Sequence, residues 1–194
     1  MEPIDFWIWF ANYRQVLEAF LKSDFSNYEP YEVLYEQLKQ YSDWLVPELT
    51  FDKSNQCVLV ISCDGNREGM ADATALYQAF PVITGWKAQL YRRASEFWGT
   101  NINGVVFQEE DVLTYDQPVS DGAAYDLLLY IKGWEEGEDL IETAALIYLD
   151  HYLGEYTVMM RLRYIAFAPL EAATEEALPL QELRARIHLP PEAE

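Results

Sequence analysis

The chain is poor in the residue types from which most metal and catalytic centres are built. Of 194 residues, two are cysteine and two are histidine. Cys57 and Cys63 fall on one face of a predicted strand, about 20 Å apart once extended. At that separation they cannot form a disulfide with each other, so they read as small buried hydrophobes in a reducing cytoplasm. So few nitrogen and sulfur ligands leave zinc or iron without a coordination shell, and neither a metal nor a cofactor is expected. His151 and Glu155 stand four apart, but Gly154 breaks the helix between them. His151 then serves the negative end of that helix. The acidic loops also lack the alternating oxygen ligands and fixed glycine of a calcium-binding EF-hand.

Cations are scarce too. Thirteen Lys and Arg stand against 33 Asp and Glu, a formal charge of −20. Such a field repels phosphate backbones and anionic bilayers and attracts basic proteins. Neither nucleic acid nor membrane is an expected partner. No stretch approaches the roughly 20 apolar residues that a membrane helix needs. The opening segment is not a secretory signal, because Glu2 and Asp5 occupy the place of a basic region and no small-residue cleavage site follows. The expected setting is cytoplasmic.

Motifs of catalysis are missing as well. G-x-G-x-x-G, G-x-x-x-x-G-K-[ST] and G-x-S-x-G do not occur. An enzyme assembled from distant residues is compatible with the sequence, but no motif proposes one.

What the chain has is apolar surface. Residues AVILMFWYC make up 51% of it and aromatics 15%, which excludes general disorder and suffices for a sizeable core. "FWIWFANYRQVLEAF" predicts a helix over residues 5–22. Phe6, Trp9, Phe10, Tyr13, Val16, Leu17, Phe20 and Leu21 share its apolar face. Trp7 sits at the edge of that face and Ile8 nearly opposite its centre, so both become candidates for contact with a partner or with a covering segment. A second helix is predicted over 28–45, ended by Pro47. The short polar link "SDFSNYEP" makes the two a hairpin.

The period then changes. "CVLVIS" (57–62), a helix ending before Pro81, and "GWKAQLYR" (85–92) read as strand, helix, strand. "YDLLLYI" (125–131), a helix over 139–153, and "YTVMMRLRYIAF" (156–167) repeat the pattern, with short strands near 104–107 and 111–116. The expected fold is α+β: an N-terminal helical hairpin, then two strand–helix–strand units forming one mixed sheet with helices on one face, ferredoxin-like or related. A single domain over 1–168 is expected, followed by a Pro-, Ala- and Glu-rich tail over 169–194. Leu180, Leu183 and Ile187 form a short helix there, placed to cover Trp7 and Ile8.

Two charged groupings are candidate sites. Thirteen carboxylates and a single cation, Lys132, lie within residues 109–155, a net of −12. Glu135, Glu136, Glu138 and Asp139 would steer a basic partner, or simply complement the start of the helix at residue 140. The turn "DGNREG" offers Asp64 and Arg67 between a strand and a helix, with Asp64 or Asn66 as the N-cap. With Arg92, Arg161 and Arg163 from neighbouring strands it would make an anion or small-ligand site. Equally, those arginines would be partners for internal carboxylates.

Phe6, Trp7, Trp9 and Phe10, then Asp64 and Gly65, then Pro81, Gly85 and Trp86, and finally Gly154, Glu155 and Tyr156 carry a resemblance. The chain resembles a loose group of uncharacterised bacterial proteins that open with an FW-x-WF helix. The resemblance implies a bacterial cytoplasmic setting and brings no catalytic residues. The acidic stretch and the exposed aromatics, and not the resemblance, make the expected function a binding module for a basic protein, with an immunity- or inhibitor-type protein as one form of it and self-association as another partner reading. The alternative is a small-ligand or anion-binding enzyme domain built on residues 64–69 and the arginines.

Overall fold

Residues 1–95, 100–102, 104–119 and 123–187 are described in a computed structural model of the chain. Asp121, His188 and the final residues 190–194 lie outside them. The fold is α+β. The chain forms two compact units, Met1–Arg92 and Arg93–Glu194, where the sequence suggested one domain over 1–168 and an appended tail.

In the first unit, α1 (Pro3–Leu21) begins with proline at its first position, where no amide hydrogen is needed. The Asp5 carboxylate accepts from the Glu2 N–H at 3.3 Å. Phe6, Trp7, Phe10, Leu17, Phe20 and Leu21 are buried. That face is rotated from the one predicted: Trp7 is fully enclosed, while Val16 is 41% exposed. Periodicity gives the width of an apolar stripe, but the neighbouring element fixes its centre. That neighbour is α3 (Met70–Gln78). Its Leu76 carbonyl accepts from Trp7 Nε1 at 2.8 Å, and Phe80 meets the indole edge-on at 4.8 Å.

The second helix, α2 (Glu29–Lys39), is shorter than predicted. Residues 40–45 turn the chain into β1 (Val46–Phe51), a strand absent from the sequence reading. Pro47, read there only as a helix stop, fits this strand because β1 lies at a sheet edge. β1 pairs antiparallel with β2 (Cys57–Ser62), and β2 pairs parallel with β3 (Trp86–Leu90) through the α3 crossover. Trp86 joins the sheet to α1: its ring meets Phe10 at 4.9 Å and its Nε1 donates to Glu18 at 3.1 Å.

The second unit contains β4 (Thr100–Ile102) and β5 (Val105–Phe107), which pair with each other. Its larger sheet has β6 (Val112–Pro118), β7 (Tyr125–Ile131), β8 (Leu162–Pro169) and the short β9 (Leu178–Pro179), in the order β8-β7-β6-β9. Two helices, α4 (Asp139–Leu153) and α5 (Glu155–Arg161), connect β7 to β8. The long strand expected over 156–167 is therefore half helix. Gly154, at φ 86°, ends α4 and starts α5. The β-branched Thr157 and Val158 suggested strand, but both are buried on a helix whose ends carry Glu155 and Arg161, as the dipole favours. The last helix, α6 (Leu180–Ile187), places Leu180, Leu183 and Ile187 in this unit's own core, with Leu127, Leu129, Tyr148 and Leu153.

Both strand–helix–strand units exist, but each belongs to its own sheet, so the single mixed sheet of the sequence reading is corrected to two mixed sheets, beside the separate β4–β5 pair. Each begins with an antiparallel pair (β1–β2, β6–β7) and continues by a parallel crossover (β2–β3, β7–β8). The leading strand of the second unit, β6, carries β9 on its other edge, whereas β1 has no further strand among the described residues.

Candidate functional site

A pocket of about 330 Å³ lies in the first unit, lined by Phe20, Leu21, Phe25, Tyr28, Tyr31, Val46, Pro47, Glu48, Leu49 and Arg92. Successive strand side chains point to opposite faces of a sheet. A pocket touching the four consecutive residues 46–49 therefore looks onto the edge of β1 and not onto one face.

The opposite wall comes from the link between α1 and α2. Ser23 fixes it, donating to the Phe20 carbonyl at 2.7 Å and accepting from the Phe25 N–H at 3.1 Å. Phe25 sits at φ 58°, a left-handed conformation that is strained for a bulky side chain. Its ring, 49% exposed, meets Phe20 edge-on at 5.1 Å. Phe20 also meets Tyr28 at 5.6 Å, and Tyr28 meets Tyr31 at 5.1 Å. Four aromatic rings thus run in a chain along one side. Two aromatics in an otherwise polar eight-residue link are the sequence signal for this wall.

The polar end is formed by Tyr31, Glu48, Asp64 and Arg92. The Tyr31 hydroxyl donates to the Pro47 carbonyl at 3.0 Å. Burial, reinforced by Tyr28 and Asp64, pushes its phenol up to about 12 although Arg92 opposes the shift. Tyr31 is therefore a neutral donor at physiological pH. Arg92, 7% exposed, reaches Glu48 through Nε at 2.9 Å and Asp64 through Nη1 at 2.7 Å. Two carboxylates around one guanidinium leave this end of the pocket net negative.

That geometry bears on the expected anion site. Arg92 and Asp64 do meet, but as an ion pair, so Arg92 is engaged by carboxylates. Arg67 is exposed, at the start of the turn Arg67–Gly69, whose N-cap is Asn66, accepting from the Glu68 N–H at 3.0 Å. Arg161 and Arg163 are in the other unit, on β8 and its preceding helix, and β8 pairs with β7 whereas β3 pairs with β2. The neighbouring strands that would have joined the four arginines do not form. Nor do Arg161 and Arg163 share a strand face: Arg161 ends α5 and donates to the Ala123 carbonyl at 3.0 Å, while Arg163 Nε donates to Asp126 at 2.8 Å.

The acidic stretch divides by burial. Asp111, Asp150 and Glu155 are buried. Asp111 pairs with Lys132 at 2.8 Å, Asp116 with Arg186 at 2.9 Å, and Asp126 with Arg163. Burial opposes ionisation of Asp111, but the Lys132 ammonium and the Gln108 amide outweigh it and hold the carboxyl below the usual range. Glu135, Glu136, Glu138 and Asp139 are all exposed, in the turn that leads into α4. None of these four takes part in an ion pair among the described residues. Trp7, expected at a surface, is enclosed by Phe6, Phe10, Leu76 and Phe80 and offers no surface to a partner. Ile8 is 58% exposed, and Ile4, one turn before it, 51%.

No family model, curated protein or solved structure matches the chain. Among the described residues no three His, Cys, Asp or Glu side chains gather as a metal site, and no helix is long and apolar enough to cross a membrane.

Proposed function

We propose that this protein is a binding module for a basic protein partner. One observation carries the reading: the surplus negative charge is not consumed inside the fold. Asp111, Asp116 and Asp126 are held in ion pairs and Asp150 and Glu155 are buried, whereas Glu135, Glu136, Glu138 and Asp139 stand exposed with no ion pair among the described residues. The second unit holds 20 acidic and 6 basic residues, the first 13 and 7, giving −14 and −6. A surface field of one sign accelerates encounter with an oppositely charged partner and makes association depend on salt. An immunity- or inhibitor-type role in a bacterial cytoplasm is one form of this activity. Self-association through Ile4 and Ile8 is the other partner reading, but pairing two chains of charge −20 works against it.

The test is capture of partners from a lysate at low and at high salt, followed by binding assays with the purified partner. A basic protein held at low salt, released at high salt and weakened by the triple reversal Glu135→Lys/Glu136→Lys/Asp139→Lys supports the proposal. Association that ignores both salt and the reversal sinks it.

A further inference from the structure

The geometry points to the outer edge of β1 as the docking site for a short extended, basic peptide segment, which adds antiparallel as a further strand and drops an apolar side chain into the aromatic pocket. This goes beyond the charge-based reading above, since it lies in the other unit and names how the segment is held.

Three observations converge. The first is the direction of the backbone groups. The Asp52 N–H donates to the Gln56 carbonyl at 2.9 Å, and β1 pairs with β2 in the register Val46↔Ser62 to Phe51↔Cys57. In an antiparallel pair, hydrogen-bonded and non-bonded positions alternate. Val46, Glu48 and Thr50 therefore bond to β2, while Pro47, Leu49 and Phe51 turn their backbone groups outward. Pro47 has no N–H, and its carbonyl is taken by Tyr31. The N–H and C=O of Leu49 and Phe51 remain facing out, and an unpaired edge of this kind is a template for strand addition.

The second is an internal precedent. In the second unit the strand at the same place in the topology, β6, has its outer edge closed by an extended two-residue segment, β9. Leu113 pairs with Pro179 and Thr114 with Leu178, and the Thr114 hydroxyl donates to the Leu178 carbonyl at 3.1 Å. Among the described residues nothing does this for β1.

The third is chemistry. The pocket beside Leu49 is walled by Phe20, Phe25, Tyr28 and Tyr31, and its volume of about 330 Å³ has room for an aliphatic or aromatic side chain. Around it, counting the lining residues, the Asp64 partner of Arg92 and the exposed neighbours of the lining residues in sequence, Glu48, Asp64, Asp24, Glu29 and Glu32 outnumber Arg92, Lys22 and Arg93. A cationic segment meets opposite charge there, and an acidic one, including a second copy of this chain, meets like charge.

The experiment uses the full chain and a set of capped hexapeptides, X-Lys-X-Arg-X-Lys with X Leu, Phe or Tyr, beside the same peptides carrying Glu for Lys and Arg. Residue-resolved amide exchange is the first readout. In the free protein Leu49 and Phe51 exchange faster than Glu48 and Thr50, and a bound basic peptide slows Leu49 and Phe51. Phe25→Gly removes one wall of the pocket and relieves the strained backbone, and it weakens binding about tenfold without loss of fold. Leu49→Pro removes an outward N–H that β2 does not use, and it weakens binding to a similar extent, roughly tenfold. Peptides that bind but leave Leu49 and Phe51 fast, and are lost on reversal at Glu135, Glu136 and Asp139, overturn this site while sparing the function proposed above. Absence of binding by every basic member, equal binding of the acidic set, or protection that grows with protein concentration alone each overturns it outright.

Discussion

The Trp7 indole N–H donates to the Leu76 carbonyl at 2.8 Å, across 69 residues of sequence. This bond locks the rotation of α1 against α3. A buried indole needs a partner for its N–H, and a carbonyl at a helix end is short of one. Trp7→Phe keeps an aromatic ring and removes the donor, leaving the Leu76 carbonyl without it in a dry setting. A loss of about 1–3 kcal/mol in urea or guanidinium unfolding is expected, part of it from the smaller ring.

The next residue behaves in the opposite way. Ile8 is exposed, so Ile8→Glu changes monomer stability by less than about 0.5 kcal/mol. The two adjacent substitutions together report the rotation of the helix. If Ile8→Glu unfolds the chain and Trp7→Phe does not, α1 does not bury the face that encloses Trp7.

Much of the architecture was legible because it is local. The strands Cys57–Ser62 and Tyr125–Ile131 and the helix Asp139–Leu153 each carry their period within one short window. The division into two sheets was not, since strand pairing is a relation between windows and the pattern is the same whether the units share a sheet or not. β1 was hidden by Pro47, whose role depends on standing at an edge. The site failed to show for the same reason. Arg92 was visible as an arginine near a strand end, but its fate was decided by Glu48, 44 residues away. The aromatic pocket needed Phe25 and Tyr28 from a link and residues 46–49 from an unseen strand. The exposed acids of the α4 turn were the reverse case, since a charge run that keeps no internal partner looks the same in sequence and in space.

Two glycines near the Asp64 turn should respond for different reasons. A Cβ on Gly69 would stand 2.8 Å from Trp44 Cβ and 3.0 Å from Cys63 Sγ. Gly69→Ala therefore overpacks the start of α3, and a loss of about 1–3 kcal/mol is expected. Gly65 has open space around it but sits at φ +75°. Gly65→Ala meets only the backbone penalty of about 1–2 kcal/mol for a left-handed residue. The unbranched pair Gly69→Met and Gly65→Met separates them further, since crowding grows with side-chain size at 69 while the open space at 65 leaves mainly the backbone penalty. Equal losses at both sites in chemical denaturation would contradict this packing.

On the acid side, stability should fall as the paired carboxylates take up protons. The hydrogen bond from Arg163 holds Asp126 below the ordinary carboxylate range, and at Asp111 the Lys132 contact wins over burial in the same direction. A carboxyl whose value is depressed on folding contributes stability above its unfolded value of about 3.9, and that contribution disappears as pH falls through the folded value. The wild-type protein thus loses stability below about pH 4, and Asp111→Asn and Asp126→Asn each flatten the drop. Parallel acid-unfolding curves for wild type and both variants would rule the pairs out as its source.

Tyr31 gives the corresponding test on the alkaline side, inside the candidate site. Its phenol is raised to about 12, burial being the main cause. Because the neutral form is favoured in the fold, its contribution is complete below the unfolded value of about 10 and is lost as pH rises from there toward the folded value. Burial also raises the phenols of Tyr13, Tyr41 and Tyr148, so in an absorbance titration near 295 nm wild type should show several late phenols, one of which is missing in Tyr31→Phe. The same variant removes the donor to the Pro47 carbonyl, at a cost of about 1 kcal/mol near neutral pH. It also frees the outward carbonyl of Pro47 for a strand lying along β1. Peptides of the basic set should then gain one backbone hydrogen bond with their own N–H, so Tyr31→Phe lowers stability and tightens peptide binding at once. A pocket that recognised its ligand through the Tyr31 hydroxyl would show the opposite sign in binding, with stability lowered all the same.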